Sequence, residues 1–166
     1  MKNVVRIDLS WKRIMRSVEE QAAYYAAKSG DIDTTYLNGL LTEPDKYHLN
    51  VYMREALDAF DVIAEDYPHE YAEAELTMSM PMNYDETRAD RLRSILWQYV
   101  GNHILMAWMA YIGSKAPTYD ASVYVKRQEE LERKLRAAMN HRKRLSRNFF
   151  EEQEGDPCAG IRVPVY

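Results

Sequence analysis

Apolar residues recur along this chain of 166 residues with two different periods, and the periods divide it into elements. Behind Ser10, a good helix-capping residue, Trp11, Ile14, Met15, Val18, Ala22 and Tyr25 recur at spacings of three, four and seven. That spacing lines one face of a helix and predicts one running to about Lys28, stopped by Gly30. Asp31 to Leu41 carries Ile32, Tyr36, Leu37, Leu40 and Leu41 and predicts a short second helix or turn. Thr42-Glu43-Pro44-Asp45 reads as a helix start, with Thr capping, Pro in the first turn and Asp at the capping-box position. Leu49, Tyr52, Met53, Ala56, Phe60 and Ile63 then share one side of a helix that ends before Pro68. Asp85 to Gly113 carries the strongest helical stripe: Leu92, Ile95, Leu96, Tyr99, Val100, Ile104, Ala107 and Tyr111. Past His103 this helix is apolar all round, which puts it at the centre of a bundle or against another subunit. From Thr118 to about Glu152 the stripe is thinner. Tyr124, Leu131, Ala138 and Leu145 repeat every seven residues, joined by Leu135 and Phe149 and interrupted by Gln128 and Arg142. Such a seam packs one neighbour and leaves the rest of the helix in water.

Residues 71–82 change period. Ala72, Ala74, Leu76, Met78, Met80 and Met82 fall on alternate positions, with Glu73, Glu75, Thr77 and Ser79 between them. A period of two predicts an extended arm or short hairpin with one apolar edge, Leu76, Met78, Met80 and Met82. Its backbone needs a hairpin mate or a neighbouring chain; the competing reading continues the preceding helix through the Ala–Glu part. The alternation returns in the last residues, where Ile161, Val163 and Val165 alternate with Arg162, Pro164 and Tyr166. The expected architecture is an all-α helical bundle of about four to five helices. Residues 1–154 form a single helical domain, with the arm or hairpin at 71–82. Residues 155–166 form an extended C-terminal tail, and Ile161, Val163, Val165 and Tyr166 are its interface.

Composition narrows the class. With 46% hydrophobic and 29% charged residues the chain is neither a disordered segment nor a low-complexity linker. One cysteine excludes an internal disulfide scaffold and a multi-cysteine zinc site. Cys158 has no basic or histidine neighbour to activate it as a nucleophile. Thirteen Tyr against three Phe favour half-buried seams, where a ring is covered and its hydroxyl stays wet. The first residues lack the apolar core of a secretion signal. The longest apolar run, Ile104 to Ile112, is far short of the ~20 residues that span a membrane. The expectation is a soluble protein made in the cytoplasm, without a membrane partner.

Net charge is only −4, but it is unevenly spread. Ser17 to Asp90 holds 17 acidic and 4 basic residues, whereas Arg133 to Arg147 holds 7 basic and no acidic ones. The basic cluster Arg133, Lys134, Arg136, Arg142, Lys143, Arg144 and Arg147 suits a partner's acidic face, an acidic face of a second copy, or phosphates of nucleic acid. Arg136 and His141 have the Arg-x4-His spacing of the all-helical HEPN ribonucleases, although Ala137 replaces the usual polar residue. This is the alternative, enzymatic reading; a helical nucleic-acid-binding module built on 133–147 is another. Asp45 and Asp66 stand three residues before His48 and His69, a faint echo of carboxylate–histidine iron ligands, but no Glu-x-x-His occurs. His103 reads as a core histidine. No Ser–His–Asp arrangement or Gly-rich phosphate loop can be drawn. No catalytic residue, metal or cofactor is expected.

Residues 85–147 join a long apolar helix (RLRSILWQYVGNHILMAWM), a short break and a charged helix closing in NHRKRLSR. This pair resembles the small helical head–tail adaptor (connector or neck) proteins of tailed bacteriophages. The resemblance covers under half the chain, and the family's compact members lack an N-terminal extension like residues 1–41. It implies a protomer of a homo-oligomeric ring that touches portal, tail or other neck proteins. It further implies contact with DNA in the channel and a place in the virion after assembly in the host cytoplasm.

Overall fold

A computed structural model describes residues 3–29, 46–113 and 121–143. Strand β1 (Asn3–Asp8) precedes helix α1 (Trp11–Ser29), followed by α2 (Lys46–Ile63) and strands β2 (His69–Ala72) and β3 (Glu75–Met80). A 3-10 turn (Glu86–Arg88) then leads into α3 (Ala89–Gly113) and α4 (Ala121–Met139). The described chain is mainly helical, but the all-α expectation is corrected. Three antiparallel strands form a sheet in the order β1-β3-β2.

The sheet answers the question posed by residues 71–82. They are the larger part of a hairpin, β2 and β3, closed by Glu73 and Ala74, with Glu73 at φ 53°. A non-glycine residue in that left-handed region is uncommon, and neither residue is a usual turn former. β1 supplies the second mate for β3, with Ile7 opposite Leu76 and Val5 opposite Met78. Its own alternation is short but clear: Val5, Ile7 and Leu9 are buried, while Arg6 and Asp8 are exposed. Leu76, Met78 and Met80 are therefore buried in the core of their own protomer. The expectation that they form an intermolecular arm is corrected for these three, and only Met82 stays exposed, at 76%.

α3 is the central helix. It packs against α1, α2 and α4, which accounts within one protomer for its apolar residues on every side. Leu92, Leu96, Val100, Ile104 and Leu105 are fully buried there. The inner face of the sheet joins the same core through Val5, Ile7, Leu76, Met78 and Met80. Five tyrosines, Tyr25, Tyr67, Tyr84, Tyr99 and Tyr124, lie in this core as well. For these five, the expected half-buried seam is replaced by burial inside the protomer.

α1 and α3 approach closely at Gly101, where an added Cβ would lie 2.8 Å from Ser17 Oγ and 2.9 Å from a Ser17 backbone carbon. The Ser17 hydroxyl donates to the Trp97 carbonyl at 2.6 Å. The residue after Gly101, Asn102, is wholly buried and ties three helices together. Its Oδ1 accepts from the Tyr25 hydroxyl, and its Nδ2 donates to Gln128 Oε1 at 2.7 Å. Gln128, an interruption in the α4 stripe, thus meets a buried polar partner, as a buried amide requires.

α4 ends at Met139, well before the expected Glu152. Asn140 turns the chain, and residues 141–143 run beside 83–85. Lys143 N donates to Asn83 O at 2.8 Å, and Tyr84 and Arg142 form an isolated bridge. Arg142 Nη1 donates to the Met139 carbonyl at 2.8 Å, satisfying one acceptor that the helix end leaves open. The expected helix at 31–41, the Thr42 cap, Leu145, Phe149 and the tail 155–166 lie outside the described residues.

Candidate interaction surface

A three-stranded sheet has two edges, and here they are treated differently. The Leu9 N to Ala74 O bond sets the phase of the β1–β3 ladder, so Val4, Arg6 and Asp8 point their backbone groups away from β3. α3 covers two of those outward carbonyls. Arg93 Nε donates to Arg6 O at 2.7 Å, and Trp97 Nε1 donates to Asp8 O at 2.6 Å. Arg13 stacks its guanidinium 3.8 Å over the Trp97 ring and steadies that cover.

The β2 edge has no such cover among the described residues. The bond from Ser79 N to Pro68 O sets the β2–β3 phase. By the antiparallel alternation, His69 and Tyr71 direct their N–H and C=O groups to the open side. Their side chains lie on the helix-facing side of the sheet and are held by Asp61 at the end of α2. Tyr71 donates its hydroxyl to Asp61 Oδ1 at 2.5 Å, and His69 Nε2 lies 3.0 Å from the same oxygen. His69 Nδ1 lies 2.7 Å from the Tyr67 carbonyl, so both ring nitrogens face acceptors. Burial and the hydrogen bond to Asp61 push the Tyr71 hydroxyl pKa up, which keeps it protonated and donating. Asp61, eight residues from His69, is its carboxylate partner; the helix ends at Ile63, so Asp66 and His69 share no helical face.

The chain around this edge is acidic and carries two exposed apolar side chains. Val62 is 66% exposed beside Asp61 in the chain, and Tyr71 is 41% exposed. From Asp58 to Glu75 the chain has seven acidic residues and no Lys or Arg. Asp58, Glu65, Asp66, Glu70, Glu73 and Glu75 are exposed.

Three of the seven residues of the basic cluster, Lys134, Arg136 and Arg142, are engaged within the protomer. Lys134 Nζ pairs with Glu130 at 2.6 Å and Arg136 with Glu132 at 2.9 Å, each one turn back on α4. Arg142 is spent on the helix-end carbonyl and approaches the Tyr67 hydroxyl at 3.5 Å. Arg133 and Lys143 are exposed without an ion pair among the described residues, while Arg144 and Arg147 lie outside them. The Arg136 and His141 pair has separate partners: Arg136 holds Glu132, and His141 Nε2 lies 3.4 Å from Asp85. His103 faces Glu55, and burial lowers its pKa. The tail residues Ile161, Val163, Val165 and Tyr166 lie outside the described residues.

Among the described residues no three His, Cys, Asp or Glu side chains gather as a metal site requires. No described helix is long and apolar enough to cross a membrane. No family model matches the chain, and neither does any curated protein or solved structure.

Two features of this surface carry no signature readable in the residues alone. The β1 edge cover joins Arg93 and Trp97 to residues nearly ninety positions away. The phase of β2 depends on a turn without Gly, Asn or Pro. The short alternation of Val5, Ile7 and Leu9 with Arg6 and Asp8 is the one signal that could have marked β1, which the sequence reading missed.

Proposed function

We propose that this chain is a non-catalytic building block of a larger assembly, a ring-forming head–tail connector or neck component of a tailed-phage virion. The observation that carries the reading is the unequal treatment of the sheet edges. Exposed edges invite pairing with other chains, and proteins commonly cover them. Here α3 covers two β1 carbonyls with side-chain donors, while among the described residues nothing covers the outward groups of β2, where Tyr71 is 41% exposed. The acidic stretch around that edge adds a field that suits a basic partner or the Arg-rich end of another copy. The virion and neck assignment draws on the helix-pair resemblance.

The enzymatic alternative receives no support from Arg136 and His141, which face different carboxylates. The nucleic-acid alternative is weakened by the ion pairs of Lys134 and Arg136.

Sedimentation velocity across a range of protein concentrations, with electron microscopy of the largest species, tests the proposal. An annular oligomer, or one formed on adding portal or neck proteins, is expected. A strict monomer that adds to no such partner overturns it, as does RNA cleavage that disappears in His141→Ala.

A further inference from the structure

The open edge of β2 has a defined chemistry, and one segment of this chain fits it. His69 and Tyr71 present two N–H and two C=O groups outward, with their side chains on the helix-facing side of the sheet. In an antiparallel hydrogen-bonded pair, opposed residues put their side chains on the same side. An added strand must therefore carry apolar residues on alternate positions, to lie beside Tyr71, itself 41% exposed. The same alternate positions must supply its N–H groups.

Ile161, Val163 and Val165 meet both demands. Pro164 falls on the other phase, where its missing N–H faces away from the sheet, the place where an edge strand tolerates proline. Placing Ile161 opposite Tyr71 and Val163 opposite His69 sets Arg162 directly across from Glu70, on the solvent face. Opposite charges at such a position attract. A second copy of β2 fits worse, because two-fold pairing centred on Glu70 sets like charges against each other. The chain also leaves the described structure near the same end of the sheet. Lys143 is bonded to Asn83, just past β3, and Ser79 to Pro68, just before β2. Seventeen residues, 144–160, then lead to Ile161.

The geometry points to residues 161–166 of this chain as the fourth strand on the open edge of β2, donated within a protomer or exchanged between copies. This rests on the reading of that edge as the assembly surface and names what the edge takes.

Residue-resolved hydrogen exchange on the full-length protein tests it, compared with the full-length variants Val163→Asp, Arg162→Glu and Arg162→Glu/Glu70→Arg. The His69 and Tyr71 amides are expected to exchange about tenfold or more slowly than in Val163→Asp. Arg162→Glu should lose part of that protection and the charge-swapped pair regain it. Unprotected amides at these two positions overturn the inference, as does protection that survives Val163→Asp. Protection that rises with protein concentration makes the donor a second copy. Protection independent of concentration and lost in Val163→Asp makes it the chain's own tail. Either result supports the pairing, and the second, which closes the edge within one protomer, counts against that edge as the assembly surface. A ring that forms with unprotected amides defeats the pairing and leaves the assembly reading intact.

Discussion

Replacing Gly101 with Ala measures how tightly α1 and α3 are pressed together. Two effects oppose each other. Alanine is the better helix residue by about 1 kcal/mol. Against that, the new Cβ would lie 2.8 Å from Ser17 Oγ, 2.9 Å from a Ser17 backbone carbon and 3.0 Å from the Ser17 carbonyl oxygen. The hydroxyl can swing aside only by giving up its bond to the Trp97 carbonyl, at a cost of about 1 kcal/mol. The Ser17 backbone cannot swing, so α1 must retreat, loosening its buried Ile14 and Val18. Overpacking of that kind costs about 1–3 kcal/mol. The helix-propensity gain and the lost hydrogen bond nearly cancel, which leaves a net destabilisation of about 1–3 kcal/mol. For a chain of this size the melting temperature should fall by roughly 2–12 °C. Urea unfolding followed by circular dichroism and tryptophan fluorescence gives the value. Ala110→Gly, at an exposed position on the same helix, measures the propensity effect separately. If Gly101→Ala is as stable as the parent protein or more so, the close approach of the two helices is refuted.

Asn102→Leu should destabilise by about 2–4 kcal/mol, since it removes the acceptor of the buried Tyr25 hydroxyl and the donor to Gln128 Oε1. Adding Tyr25→Phe should recover part of the loss, and strict additivity in that double-mutant cycle would show that the two groups do not interact. Acid should expose the role of Glu130. Hydrogen bonds from Lys134 and Arg127 lower its pKa from 4.5 to about 2 in the folded chain. Its contribution is therefore present above pH 4.5 and lost as pH falls towards about 2. The side chain is 37% exposed, so solvent screening keeps the effect small. Glu130→Gln should flatten the pH–stability profile in that window alone, and parallel profiles for variant and parent would contradict the assignment.

The long helices were legible because their apolar spacing is sustained. The stripes behind Ser10 and across Leu92 to Tyr111 each mark a helix that is present, α1 and α3. β1 escaped notice because six residues carry little periodicity, and its mate β3 lies some seventy positions away. The hairpin read as one run, since its turn uses Glu73 and Ala74, where a glycine or asparagine would have marked the break. The seven-residue seam ran on through Leu145 and Phe149, whereas α4 is described only to Met139. What ends it is tertiary, the pairing of 141–143 with 83–85. In the candidate surface, the exposure of the acidic residues followed from charge alone. The role of Asp61 did not, because its partners sit on a strand that starts only after Pro68.

Asp61, His69 and Tyr71 join β2 to the end of α2. A carboxylate that accepts from Tyr71 and lies against His69 fixes the β2 side chains to α2 while leaving the strand's outward backbone untouched. On β1 the opposite choice is made, with Arg93 and Trp97 reaching past their own helix to occupy outward carbonyls. Had a long basic side chain stood in place of Asp61 at the end of α2, it would have suited the β2 carbonyls as Arg93 suits that of Arg6. An acid there cannot donate, so it leaves the carbonyls of His69 and Tyr71 open and supports the edge from behind. One edge closed by donors and the other buttressed by an acceptor is the arrangement expected where a single strand is to be added on one side only.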